Sequence, residues 1–367
     1  MRHSGPAPAL APAMLPASAG PPATPSAPSP ARHPANPARH IQARCAQIRH
    51  AQARSAPARR PAGSAGSGAL RRQIWAHRHY YLLLLPAFVY ICLFSYAPLY
   101  GLQIAFKDFY GSLGILGSPW VGFKHFSDFF SGFYFWRTFG NTIILSAYSL
   151  AINFPVPIIL ALMLNELKSA RYKKFAQTAL YAPHFISVVV MVGILHTMFS
   201  PSIGVVNTAL EALGRERVYF MALPRLFRAM YVLSGTWQEM GWAAVIYIAA
   251  LAGVDPALHE SARIDGASRL QRIIHINLPC ISTTIILLLI LSIGGLINVG
   301  YEKIYLMQNE VNLEVSEVIS TLVYKRGIIN NRVSFSTAVG LFNNVVNLAL
   351  LVSANFIAGR LSRESLF

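Results

Sequence analysis

The sequence predicts an all-α membrane protein with six spanning helices. Three observations carry that expectation. Over 367 residues the chain is 54% hydrophobic and only 12% charged. Its apolar residues cluster into six windows, near 80–106, 142–164, 175–200, 230–254, 273–299 and 333–359, which contain no Lys, Arg or Asp and one Glu between them. None of the windows alternates strictly with period two, which argues against a β-barrel. A helix needs about 20 apolar residues to cross ~30 Å of hydrocarbon, so each window is long enough. Backbone groups must be satisfied internally in lipid, which makes these windows helices.

The first window follows an Ala/Pro/Arg-rich segment, 1–74, that is too poor in apolar residues to offset its chain entropy and is expected to be disordered. Residues 1–79 hold 11 Arg and no acid, leaving 20 basic and 14 acidic residues for the rest of a chain whose net charge is +17. The basic excess therefore sits mostly in the tail and does not by itself call for a nucleic-acid partner. The tail has no 7–15-residue apolar core of a secretory signal. A solvated tail, a lipid- or nucleic-acid-binding tail and a start codon placed too far upstream all stay open.

Charges flanking the windows set the orientation. Arg71, Arg72 and Arg78 precede the first, and Lys168, Arg171, Lys173 and Lys174 crowd the short connection between the second and third. Arg263, Arg269 and Arg272 lie between the fourth and fifth, and Arg360 and Arg363 follow the last. The positive-inside rule makes these cytoplasmic, with both termini inside. The other connections carry 11 Lys and Arg, but they are longer and hold most of the acids.

The fourth window contains Glu239, about 15 Å deep at 1.5 Å per residue, with Trp237, Gln238, Gly241 and Trp242 around it. Asn298, Tyr301 and Glu302 follow at the end of the fifth. An ionisable group inside a membrane is a candidate functional site. Aromatic faces with amide and carboxylate groups suit a sugar. Two readings stay open for this set: a cargo pathway, or hydrogen bonds between helices and to a partner subunit. Asn343, Asn344 and Asn347 in the last window read as contacts between helices.

Residues 255–279, between the fourth and fifth windows, read as a helix-turn-helix. Asp255-Pro256 is a helix start. The helix is expected to run to about Ile264, where Asp265-Gly266 allows a left-handed cap. Ser268-Arg-Leu-Gln271 has the form of a capping box. Leu270, Ile273 and Ile274 share one face. Pro279 fits the first turn of the fifth span.

Within this element, Glu260-Ser-Ala-Arg-Ile-Asp-Gly266, nine residues, then Ile276-Asn-Leu278-Pro279 resembles the EAA loop of ABC-importer permeases, E-A-A, three residues, G, nine residues, I-x-L-P. The departure is Ser261, where the family usually has Ala. Tyr96-Ala-Pro98-Leu-Tyr100-Gly101, Ala105-Phe106-Lys107-Asp108-Phe109 and Leu162-Met-Leu-Asn165-Glu166 extend the resemblance over about 75–363, toward the complex-oligosaccharide branch and alginate-importer permeases. The resemblance implies a MetI-like six-helix permease domain in the bacterial inner membrane. It implies a homologous second permease, two ATPase subunits carrying ATP and Mg, an extracytoplasmic solute-binding protein and an oligosaccharide cargo. It assigns the loop to docking on an ATPase, with Glu260 as a polar contact, Gly266 as a close-packed turn and the Ala262 and Leu270 faces as apolar filling. Asp265, Ala267, Ile276, Leu278 and Pro279 complete the coupling set.

No phosphate loop G-x-x-x-x-G-K-[S/T] occurs, so ATP hydrolysis is expected on another polypeptide and the chain is not read as an enzyme. Cys45, Cys92 and Cys280 lack metal spacing, and His184 and His196 stand about three turns apart, so no metal site or cofactor is expected. A non-sugar cargo in the same machine, and a secondary carrier or channel, remain as alternatives. Only the two importer readings, with sugar or non-sugar cargo, make transport depend on Gly266; the carrier or channel does not.

Overall fold

The computed structural model describes Trp75 and residues 77–362. The expected disorder of 1–74, with Arg71 and Arg72, and the flanking Arg363 lie outside the described residues. Among those residues the regular structure is helical, with one isolated antiparallel bridge between Lys107 and Trp120.

Helix α1 (Arg78–Phe106) is α-helical to Ile91, widens into a π turn over Cys92–Tyr96 and tightens to 3-10 geometry over Ala97–Phe106. Pro98, which has no N–H to donate, sits where the ladder changes register. The apolar window of α1 contains no buried residue, and its 3-10 part packs on the last helix. The chain then turns through Asp108, whose carboxylate accepts from Lys124 Nζ at 2.8 Å and is held below its usual pKa mainly by that bond. Lys124 opens α2 (Lys124–Phe130), whose Phe129 packs edge-on against Phe135 and Phe335.

Apart from short turns at Gly114–Gly117, Phe220–Ala222, Leu313–Ser316 and Lys325–Ile329, the further helices are α3 (Phe135–Asn165), α4 (Ala170–Phe185), α5 (Val188–Met198), α6 (Val205–Ala212), α7 (Pro224–Ala252), α8 (Pro256–Ile264), α9 (Arg269–Cys280), α10 (Ser282–Gly294), α11 (Tyr301–Met307), α12 (Ile319–Tyr324) and α13 (Val333–Ser362). Two apolar clusters hold α3 against its neighbours. In one, Ile158, Ala161 and Leu162 of α3 meet Ala244, Tyr247 and Leu251 of α7. In another, Leu145 joins Val192 and Leu195 of α5 to Val232 of α7 and Ile304 of α11. A third, built on Phe335 and Val339, fastens α13 to α2 and α12.

Helices α1, α3 and α13 are each long and apolar enough to cross a membrane alone, and the count rises to six when three bent pairs are each taken as one span. The bends are 97° between α4 and α5, 73° between α7 and α8, and 63° between α9 and α10. The third window, 175–200, reads in the sequence as one span with no sign of a break. It is broken instead, because Pro183 cannot donate to the ladder and Ser187 adopts extended geometry to cap α5, accepting from the Val190 N–H at 3.3 Å. The fifth span differs too: Pro279 lies near the end of α9, ahead of the bend, and the span proper begins at Ser282. Just before Pro279 the helix widens into a π turn, in which the Leu278 N–H donates to the Ile273 carbonyl.

Candidate functional site

Two features stand out: a helical hairpin at one end of the bundle and a cleft within it. The hairpin is α8 and α9. Asp255 caps α8 by accepting from the Ala257 N–H at 2.9 Å. The helix stops where Gly266 takes φ +79°, left-handed backbone that an L side chain resists. Around that glycine the Ala267 N–H donates to the Ala262 carbonyl at 2.8 Å and the Gly266 N–H to Arg263 at 3.1 Å, the paired bonds of a Schellman cap. Ser268 and Gln271 then bond reciprocally in a capping box that opens α9.

Local chemistry thus forms two short helices, and packing decides which face is free. Leu258, Ala262 and Ile276 form a small buried core, with Val254, Ala267 and Cys280 against it. Ala262 is only 4% exposed, whereas Ile264 and Leu270 are 87% and 64% exposed at the turn. Glu260 and Asp265 are also on the surface. The Arg272 guanidinium reaches to 3.9 Å from Glu166, so the hairpin and the basic connection after α3 lie on the same side of the bundle.

The cleft is about 530 Å³ and lies between α3, α7, α10 and α11. Gln238, Glu239 and Asn298 line it, together with Ser149, Asn153 and Lys303. Gln238 is buried, and its Nε2 donates to the Ile186 carbonyl at 2.6 Å, satisfying a backbone group released by the α4–α5 break. Glu239 pairs with His184 Nδ1 at 2.9 Å, and the His184 ring stacks on Trp242 at 4.7 Å between centroids. Asn298 Oδ1 accepts from Asn343 and Asn347, each at 2.9 Å. A second cavity of about 750 Å³ is lined by Tyr301, Tyr324, Thr337 and Asn343, and there Tyr301 stacks on Tyr324.

Comparison with known proteins decides the family. Residues 153–363 match the family described as binding-protein-dependent transport system inner membrane component. The chain is 44% identical over 312 residues to Protein LplB of Bacillus subtilis, covering 84% of this chain and 97% of that one. The chain belongs to this transport family. It is also 43% identical to the polygalacturonan/rhamnogalacturonan transport system permease protein YteP of Bacillus subtilis, over 79% of this chain and 90% of the relative. Among solved structures it resembles a chain of a bacterial ABC transporter involved in import of the acidic polysaccharide alginate. That match has TM-score 0.75 and 42% identity, and covers 80% of this chain and 99% of the other. A second alginate-transporter structure, in complex with a periplasmic protein bound to alginate pentasaccharide, matches with TM-score 0.74 and 41% identity.

The permease fold sorts the residues singled out in the sequence. In the hairpin, Glu260, Asp265, Gly266 and Leu270 face outward, while Ala262 and Ile276 are buried and Ala267, Leu278 and Pro279 are partly covered. The expectation that Ala262 fills a partner's groove is corrected, because its methyl is already covered by its own chain. Within its own chain Gly266 has open space beside it. A Cβ there would meet nothing within 4 Å, and the positive φ is what requires glycine. Ile264, which the spacing argument passed over, is the most exposed apolar group of the hairpin.

In the pathway set, Gln238, Glu239 and Asn298 reach the cleft. Trp237, Trp242 and Glu302 are not among its lining residues, and Tyr301 belongs to the second cavity. Asn343 and Asn347 connect helices, as expected. Gly241 is a helix crossing: an added Cβ would lie 2.0 Å from the Leu180 carbonyl oxygen. The sequence reading missed Asn153, His184 as the partner of Glu239, and Lys303. The signal available for Asn153 was a lone amide inside an apolar window.

Replacing Gln238 by Leu should leave the Ile186 carbonyl unpaired, at a cost of about 1–3 kcal/mol. A thermal-melting comparison of purified variants should show a lower Tm for Gln238→Leu than for Gln238→Asn or wild type. Equal melting of Gln238→Leu and wild type would remove this strut.

Proposed function

We propose that this chain is one of two homologous permease subunits in an ATP-driven, binding-protein-dependent importer. Its cargo is an oligosaccharide, moved across the bacterial cytoplasmic membrane by alternating access. The observation that carries the reading is the α8–α9 hairpin, a rigidly capped surface element that presents Glu260, Ile264 and Leu270 around a left-handed glycine. Such an element can fill a groove on an ATPase subunit, where ATP and Mg would be held. Because the hairpin is continuous with α7 and α10, movement of the ATPase would bias inward- against outward-facing arrangements of the cleft.

The hairpin and the basic connection after α3 would face the cytoplasm, with both termini inside. An extracytoplasmic solute-binding protein would deliver cargo to the opposite face. The exposed apolar length of α1 supplies surface for lipid and for the second permease. Relatives named for polygalacturonan/rhamnogalacturonan and alginate support a carbohydrate cargo, and the cleft offers amide and hydroxyl groups suited to one.

The test is gentle extraction of the tagged chain from native membranes, followed by mass spectrometry of what copurifies. Recovery of an ATPase subunit and a second permease is expected. Recovery of the chain alone, under conditions that preserve a known transporter complex, would point to a self-sufficient carrier. Glu239→Ala in the assembled importer should reduce uptake on the order of tenfold, the loss of one charge-assisted hydrogen bond, with ATPase association unchanged. Undiminished uptake of every cargo tried would exclude Glu239 from the pathway.

A further inference from the structure

We propose that Lys303 is a specificity-determining residue that reads a carboxylate on the cargo. The proposal rests on the oligosaccharide reading above and narrows it to acidic oligosaccharides.

Lys303 is 9% exposed, yet it lines the central cleft. Its ammonium donates to the Tyr231 carbonyl at 3.0 Å and sits 4.9 Å from the centroid of the Tyr231 ring. The fold makes room for it at Gly235, where an added Cβ would come within 3.2 Å of Nζ. Among the described residues no carboxylate forms an ion pair with Lys303. Glu239, on the same cleft, acts on Lys303 through space but makes its contact ion pair with His184.

A buried cation without an anion in contact is costly, because a distant carboxylate replaces its lost hydration only in part. An ammonium has three N–H donors, and the Tyr231 carbonyl accounts for one. Elsewhere in the lining of the same cleft, Ser149, Asn153, Gln238 and Asn298 contribute neutral polar groups. Neutral donors and acceptors suit sugar hydroxyls, and one unpaired cation suits a carboxylate through a charge-assisted bond. A neutral sugar would fill the same space and leave the ammonium without a contacting anion.

The experiment uses the intact importer, with its partner subunits and binding protein, in proteoliposomes. The probes are a trisaccharide of uronic acids and its fully methyl-esterified, uncharged form. The readout is the ratio of uptake kcat/KM for acid over ester. Each variant is compared with wild type using the same binding protein, so that selection by that protein cancels.

Lys303→Gln should lower the ratio on the order of tenfold, the loss of one charge-assisted contact, and Lys303→Arg should largely preserve it. Gly235→Ala retains the positive charge but pushes the ammonium aside by a few tenths of an ångström, and should lower the ratio several-fold. This variant keeps the test open if Lys303→Gln fails to assemble. An unchanged ratio in an assembled, transporting Lys303→Gln or Gly235→Ala importer would overturn the proposal, as would a wild-type importer that takes up both forms equally. Each of those results leaves the oligosaccharide reading standing. If wild type takes up neither these nor other oligosaccharides while its ATPase complex is intact, the oligosaccharide reading fails and this proposal fails with it.

Discussion

Gly266→Val is expected to abolish transport and cargo-stimulated ATP hydrolysis while the protein remains folded and inserted. Left-handed backbone costs an ordinary L residue about 1–2 kcal/mol, and a β-branched one more. At φ +79° valine would pull the turn toward another geometry. Nothing lies within 4 Å of the new Cβ, so no clash spreads into the bundle. What changes is the Schellman cap, and with it the relative placement of Ile264 and Leu270 on either side of the turn. Gly266→Asn is the informative companion, because Asn tolerates left-handed backbone and should retain most activity. Proteoliposome uptake and ATPase rates, with size-exclusion profiles as the folding control, make the comparison. Normal uptake by Gly266→Val would remove the coupling assignment.

Gly241→Ala should fail in the opposite way, by preventing a stable fold. The added methyl would lie 2.0 Å from the Leu180 carbonyl oxygen and 2.5 Å from its carbon. Both neighbours are backbone, so no side-chain rotation relieves the contact, and α4 and α7 must move apart. The strain is expected to reach about 3 kcal/mol or more. Low recovery of monodisperse complex and a clearly reduced Tm are the expected results. A wild-type Tm would mean that the two helices do not cross this closely. The two glycines thus separate a conformational requirement at the surface from a packing requirement in the bundle.

Much of the hairpin was legible because its determinants are local. Asp255 and Pro256, the Asp265-Gly266 stop and the Ser268–Gln271 box each act over a few residues, and the structure places every one as expected. Which face of the hairpin is free was not legible. Leu258 and Ala262 on one side and Ile264 and Leu270 at the turn are all apolar or small, and helical periodicity does not say which will be covered. Ile276, arriving from α9, covers the first pair. The break inside the third window escaped the sequence for a related reason. Its composition satisfies a span throughout, while the break at Ile186 persists because Gln238, fifty-two residues away, accommodates the exposed carbonyl.

The cleft depended still more on long-range contacts. His184 and Glu239 are 55 residues apart, and Lys303 and Tyr231 are 72 apart. Lys303 falls beyond the end of the fifth apolar window and reads there as an ordinary loop cation. Only the return of α11 against α7 turns it into a buried charge. Amino-acid order by itself determined the membrane class, the apolar windows and the capped hairpin, because hydropathy and capping are summed over neighbours in the chain. The tertiary structure alone decided where helices break, which hairpin face is presented and which polar groups meet in the cleft. Those outcomes depend on which distant backbone and side-chain groups satisfy one another once water is excluded.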